Sequence, residues 1–127
     1  MRKTAKIIST ATAIAALMGS LSLAPINITF AAEKKALTPV QKGKKLAFNK
    51  KKGNCLSCHA IAGGKMAGNV GPPLVAMKAR YPDKKKLRAQ IWDATKANPN
   101  TVMPPFGRHK ILSEKEIDLV TEFISTL

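Results

Sequence analysis

Carboxylates, aromatic rings and thiols are scarce in this chain of 127 residues, which holds seven Asp and Glu, six Phe, Tyr and Trp, and two Cys. Two cysteines cannot staple a disulfide scaffold in place of a hydrophobic core, so a cross-linked mini-protein is excluded. No run of alternating β-branched residues occurs, which leaves no strand to expect. No internal repeat is visible either. A hydrophobic content of 45% argues against a wholly disordered chain. The length suits a single domain rather than two.

Acidic residues are absent from the first 31 positions, where Arg2, Lys3 and Lys6 precede an uncharged stretch over 7–23. Thr29-Phe30-Ala31 then supplies the small residues that a signal peptidase accepts at −3 and −1. The expectation is a cleaved secretory signal over 1–31, with cleavage after Ala31 or, one residue later, after Ala32, and a mature domain over 32–127 in the periplasm. An uncleaved anchor is the alternative, because the stretch approaches the ~20 apolar residues that span a bilayer. Ser9, Thr10, Thr12, Ser20 and Ser22 dilute it. The mature domain is expected to have no membrane span.

The 96 residues beyond the signal carry 19 Lys and Arg against 7 Asp and Glu, a formal charge of +12. In a cytosolic protein this balance would point to nucleic acid. An exported chain with five aromatics, Phe48, Tyr81, Trp92, Phe106 and Phe123, lacks both the compartment and a stacking platform. No nucleic-acid partner is expected. An acidic protein partner or a solvated, solubilising surface each accounts for the charge.

Helix signals begin at Thr38, a cap, and Pro39, which suits a first turn needing no N–H. Gly43 and Ala47 keep one face of this helix slim. A mid-helix Gly costs about 1 kcal/mol against Ala, so a second helix is expected to cross closely at Gly43. Residues 53–73, rich in Gly and Pro, read as an extended loop. A second helix starts after Asp83, with Leu87, Ile91 and Ala94 inward. Lys84, Lys85 and Lys86 oppose its dipole by a few tenths of a kcal/mol each, which suits solubility or docking rather than local stability. Residues 98–107, with three prolines, read as loop. Ser113-Glu114-Lys115-Glu116 fits a capping box, followed by Ile117, Val120, Ile124 and Leu127 at helical spacing with Phe123 beside them.

Cys55-Leu56-Ser57-Cys58-His59 is the decisive motif. Two thiols three positions apart can form thioethers to both vinyl groups of one haem, while the adjacent imidazole reaches its iron. A redox-active dithiol would need a strand before the motif and a sheet around it. Zinc held by Cys55, Cys58, His59 and His109 is arithmetically open, but adjacent Cys58 and His59 make an awkward tetrahedral pair. A covalent haem c also suits a thin core of about three helices and long loops, because the cofactor supplies the missing apolar bulk. A sixth iron ligand could come from Met66, Met77, Met103 or His109. Met103 is favoured, since Pro104 and Pro105 stiffen the backbone beside it. Met66 lies too near His59 to reach the other face, Met77 suits core filling, and His109 reads as a surface histidine.

These residues resemble class I cytochromes c, and more narrowly the SoxX subunits of the SoxAX cytochromes of bacterial sulfur oxidation. The likeness rests on Gly53-Asn54-Cys55-Leu56-Ser57-Cys58-His59, on Gly68-Asn69-Val70-Gly71-Pro72-Pro73-Leu74, and on Met103-Pro104-Pro105-Phe106-Gly107-Arg108-His109-Lys110-Ile111-Leu112-Ser113. The last block is the narrowest, because generic carriers share Met-Pro but rarely the whole continuation. The resemblance implies an all-α class I cytochrome c fold around one covalent haem c, held by Cys55 and Cys58 with His59 and Met103 on iron. It also implies that a proline carbonyl a dozen or so residues after the histidine accepts from its other ring nitrogen. Pro72 takes that role, unless the segment is simply a rigid loop.

A SoxA-like subunit carrying the catalytic haem, with a cysteine-derived ligand, would be the partner in a heterodimer. Both thiols here are used by the motif, so no spare cysteine exists for such a ligand. The chain would then be the electron-receiving subunit of an L-cysteine S-thiosulfotransferase, with no catalytic residue of its own. Electrons released when thiosulfate is coupled oxidatively to a cysteine of a sulfur carrier protein would pass on to a further acceptor such as a cytochrome c. The alternative is a free periplasmic cytochrome c that shuttles electrons to a terminal oxidase or another redox protein.

Overall fold

The computed structural model describes residues 36–127; the expected signal over 1–31 lies outside the described residues. Four α-helices follow in order: α1 (Pro39–Phe48), α2 (Met77–Arg80), α3 (Lys84–Trp92) and α4 (Glu114–Ile124), with 3₁₀ turns at Cys55–Ser57 and Ala94–Lys96. No strand occurs among the described residues, and the fold is all-α.

α1 begins where the sequence indicates. Gln41 N–H donates to the Thr38 hydroxyl at 3.2 Å, and the Gln41 side-chain carbonyl accepts from Thr38 N–H at 2.9 Å, with Pro39 at the first position. Gly43 and Ala47 are its buried residues, and α4 crosses there. A Cβ at Gly43 would stand 1.9 Å from the Leu119 carbonyl oxygen and 2.9 Å from Phe123 Cβ. Only hydrogen fits between the two backbones. Phe48 and Phe123 continue the contact edge to face, with ring centres 5.8 Å apart.

The capping box of α4 is complete: Ser113 N–H donates to the Glu116 carboxylate at 2.9 Å and Glu116 N–H to the Ser113 hydroxyl at 3.3 Å. Ile117, Val120, Phe123 and Ile124 face inward and are nearly fully buried. Asp83 caps α3 by accepting from Lys85 N–H at 2.8 Å, and Leu87 and Ile91 are buried. Ala94 is buried as expected but belongs to the 3₁₀ turn after α3. Arg88 joins α3 to α4 through Glu114 and Asp118, and Lys84 adds a 2.8 Å pair with Glu122.

The short α2 carries no sequence signal of its own, because four residues cannot display a helical period. It starts at Ala76 in the left-handed region, with φ 51°. Met77 N–H donates to the carbonyl of Leu127 at 2.7 Å, so this helix is fixed by the end of the chain after α4. Long connections, 49–76 and 93–113, run between these helices and bring the functional residues to one cavity.

Candidate haem site

The cysteine motif is built by a tight turn. Asn54 takes φ 46°, and the Cys55 carbonyl then accepts from Cys58 N–H at 3.3 Å and from His59 N–H at 2.9 Å. Gly53 N–H donates to the Leu46 carbonyl at 3.2 Å, anchoring the turn on the end of α1. Cys55, Cys58 and His59 thereby line one cavity of about 540 Å³. Such a volume is of the size that takes small molecules and cofactors. Leu74, Met77, Leu87, Ile91, Val120 and Ile124 supply apolar lining.

His59 is held from two sides. Its Nδ1 lies 2.7 Å from the Pro72 carbonyl oxygen, which can only accept, so Nδ1 carries the proton and in the neutral ring the lone pair is on Nε2. Gly71 lies against the ring, where a Cβ would stand 2.4 Å from His59 Cε1. The segment carrying both contacts is tied back by Gly71 N–H to the Cys58 carbonyl at 2.8 Å and by Leu74 N–H to the Ala60 carbonyl at 2.9 Å. Arg80 adds a hydrogen bond to the Pro73 carbonyl at 2.9 Å. Sequence reasoning missed Arg80, because nothing local links it to a carbonyl seven residues earlier.

Of the four sixth-ligand candidates, Met103 and Met77 line the cavity. Met66 is 98% exposed, and His109 is exposed. Met77 is buried, and its sulfur takes a hydrogen bond from Arg80 at 3.5 Å. Met103 lies in the 93–113 connection, where its N–H donates to the Thr101 hydroxyl at 3.2 Å. A threonine two residues ahead of the methionine is a turn signal that the sequence does contain.

The two other chemistries fit less well. A redox dithiol depends on a depressed thiol pKa, whereas burial, with the neighbouring Cys58 adding, pushes the Cys55 thiol up from 9.0 to about 11. Tetrahedral zinc needs four converging donors, and among the described residues no three Cys, His, Asp or Glu side chains gather into a metal-binding cluster.

A site with two half-buried thiols, an imidazole of fixed tautomer and an apolar cavity suits a covalently attached haem. The chain belongs to the cytochrome c family, whose model matches residues 40–127, and this family implies covalent haem c on a Cys-x-x-Cys-His motif such as 55–59. Its fold is that of a class I cytochrome c, and it is similar to a chain in the crystal structure of SoxXA from P. pantotrophus. That chain is 23% identical with a TM-score of 0.63, over 72% of this chain and 83% of its own length. No curated protein matches the sequence. Among the described residues no helix is long and apolar enough to cross a membrane.

Proposed function

We propose that this protein is the electron-receiving cytochrome subunit of a SoxAX-type thiosulfate-oxidising complex, exported to the periplasm by a signal over 1–31. The observation that carries the redox reading is the convergence of Cys55, Cys58, His59 and Met103 on one apolar cavity. One haem bound there supplies reversible one-electron chemistry at its iron. Cys55 and Cys58 would attach it, His59, held by the Pro72 carbonyl, would offer Nε2 to the iron, and the Met103 thioether would complete the ligand set. Leu87, Ile91, Val120 and Ile124 give the site apolar walls. Met77 is packed in the core with its sulfur accepting from Arg80, which suits a structural role and favours Met103 as the ligand.

The narrower assignment to sulfur oxidation is supported by the 103–113 block and by the fold shared with a chain of a SoxXA crystal structure. Its partners would be a SoxA-like cytochrome subunit, the sulfur carrier protein of that system and a downstream acceptor. Coupling thiosulfate to a thiol releases two electrons, whereas one haem accepts one at a time, so a further acceptor must relay them.

The test is to mix the mature holoprotein with a SoxA-like subunit, a carrier protein and thiosulfate. A stable heterodimer is expected, whose haem on Cys55 and Cys58 reduces only when all components are present. A protein that stays monomeric and passes electrons to an oxidase at strongly salt-dependent rates is instead the free shuttle, a reading that the basic surface also suits.

A further inference from the structure

We infer that Trp92, Gly107 and Glu114 form a clamp that positions Met103 on the iron, making them positioning residues for the electron-transfer site; the inference rests on the reading of Met103 as axial ligand. Met103 sits on no helix. Its neighbours Val102, 77% exposed, and Pro104, exposed, give the loop little apolar anchorage on either side of the half-buried methionine. Anchorage lies four residues further on. Gly107 N–H donates to the Trp92 carbonyl at the end of α3, 3.0 Å away. Its α-carbon rests against the indole so closely that a Cβ would stand 2.1 Å from Trp92 Cδ1 and 2.2 Å from Nε1.

The indole cannot give way freely, because its N–H donates to the Glu114 carboxylate at 2.8 Å, in the first turn of α4. Arg108 beside Gly107 reaches the buried Asp93 carboxylate at 3.5 Å. Between Gly107 and Met103 stand Pro104, Pro105 and Phe106, with Pro105 and Phe106 buried. The fixed φ of two prolines leaves few dihedrals to absorb a displacement, so a shift at Gly107 is carried to the thioether. The clamp joins α3, the Met103 loop and α4.

The experiment uses the full chain exported and matured with its haem, as wild type and as Gly107→Ala, Trp92→Phe, Gly107→Ala with Trp92→Leu, and Met103→Ala. Carbon monoxide binding to the ferrous protein reports an open sixth position, and the weak near-infrared band of the ferric protein reports a sulfur ligand. Wild type should bind no carbon monoxide, whereas Met103→Ala should bind it stoichiometrically. Gly107→Ala should bind it too and lose the band while keeping covalent haem and helical circular dichroism. Trp92→Phe keeps most of the ring but loses the Glu114 bond, and should bind carbon monoxide in part where wild type binds none. Leu at 92 makes room for the added methyl, so the double variant should recover the band in part. If Met103→Ala opens the site while Gly107→Ala and Trp92→Phe stay closed, the clamp is overturned and the ligand assignment stands. If Met103→Ala itself stays closed, the ligand assignment fails and the clamp with it.

Discussion

A single hydrogen atom decides the closest helix contact in this molecule, at Gly43. An alanine there would improve helix propensity by about 1 kcal/mol. The same methyl would collide with the Leu119 carbonyl at 1.9 Å, and backbone cannot rotate aside as a side chain can. Overpacking of this kind costs about 1–3 kcal/mol and here the upper end outweighs the propensity gain. Gly43→Ala is therefore expected to lose about 2 kcal/mol in urea unfolding of the holoprotein, with a lower midpoint at similar slope. At the proposed iron ligand Met103, a thioether stabilises ferrous over ferric iron more than an imidazole does. Met103→His should accordingly lower the reduction potential, read by redox titration, and remove the near-infrared band of the ferric form. An unchanged potential and spectrum would move the sixth ligand to Met77 or His109.

Helix ends carry the next level of stability. The reciprocal box at Ser113 and Glu116 satisfies two backbone donors that would otherwise face water. Ser113→Ala removes one half of it and should cost about 1 kcal/mol by the same unfolding measurement. α3 shows the opposite situation: three lysines occupy its first turn, where the dipole favours anions. Lys84 is offset by Glu122, whereas Lys86 is exposed. Lys86→Glu should thus raise stability by about 0.3–1 kcal/mol. A decrease would mean that repulsion from the carboxylates of α4 outweighs the dipole.

For the molecule as a whole, charge and cofactor set the limits. All six described carboxylates are engaged: Asp83 caps α3, and the other five meet a lysine or arginine. The Thr95 hydroxyl, helped by Arg108, holds the Asp93 carboxyl below its usual value, Arg88 and the Trp92 N–H do so for Glu114, and the Ser113 N–H and Lys52 for Glu116. With folded-state values depressed, the unfolded chain binds protons first as pH falls. The stability these groups contribute is complete above their ordinary values of 3.8 and 4.5 and is lost as pH drops through the lower folded ones. Thermal midpoints should therefore hold steady from about pH 8 to 5 and decline below about pH 4.5, and Arg88→Gln should shrink that decline. The cavity of about 540 Å³ sets the other limit, since folded cores are close-packed. Cys55→Ala with Cys58→Ala should yield a haem-free chain with weak tertiary signals and an enlarged hydrodynamic radius. A compact, cooperatively unfolding apoprotein would show that the haem is not needed as core.

Local chemistry made much of this legible from the chain alone. Caps at Thr38, Asp83 and Ser113, the slim face at Gly43 and the spacing of Cys55, Cys58 and His59 each act within a few residues, so the sequence by itself determined three main helices, the crossing at Gly43 and the cysteine motif. The contacts that complete the site have no such local mark. That the Pro72 carbonyl meets His59, that Arg80 braces Pro73 and that Trp92 backs Gly107 depends on where two long loops come to rest. The short α2 and the early end of α3 at Trp92, which puts Ala94 in a separate turn, were likewise decided by packing. Loop conformation is set by long-range contacts that cost chain entropy before they return any energy, and only the assembled tertiary structure determines which of them form.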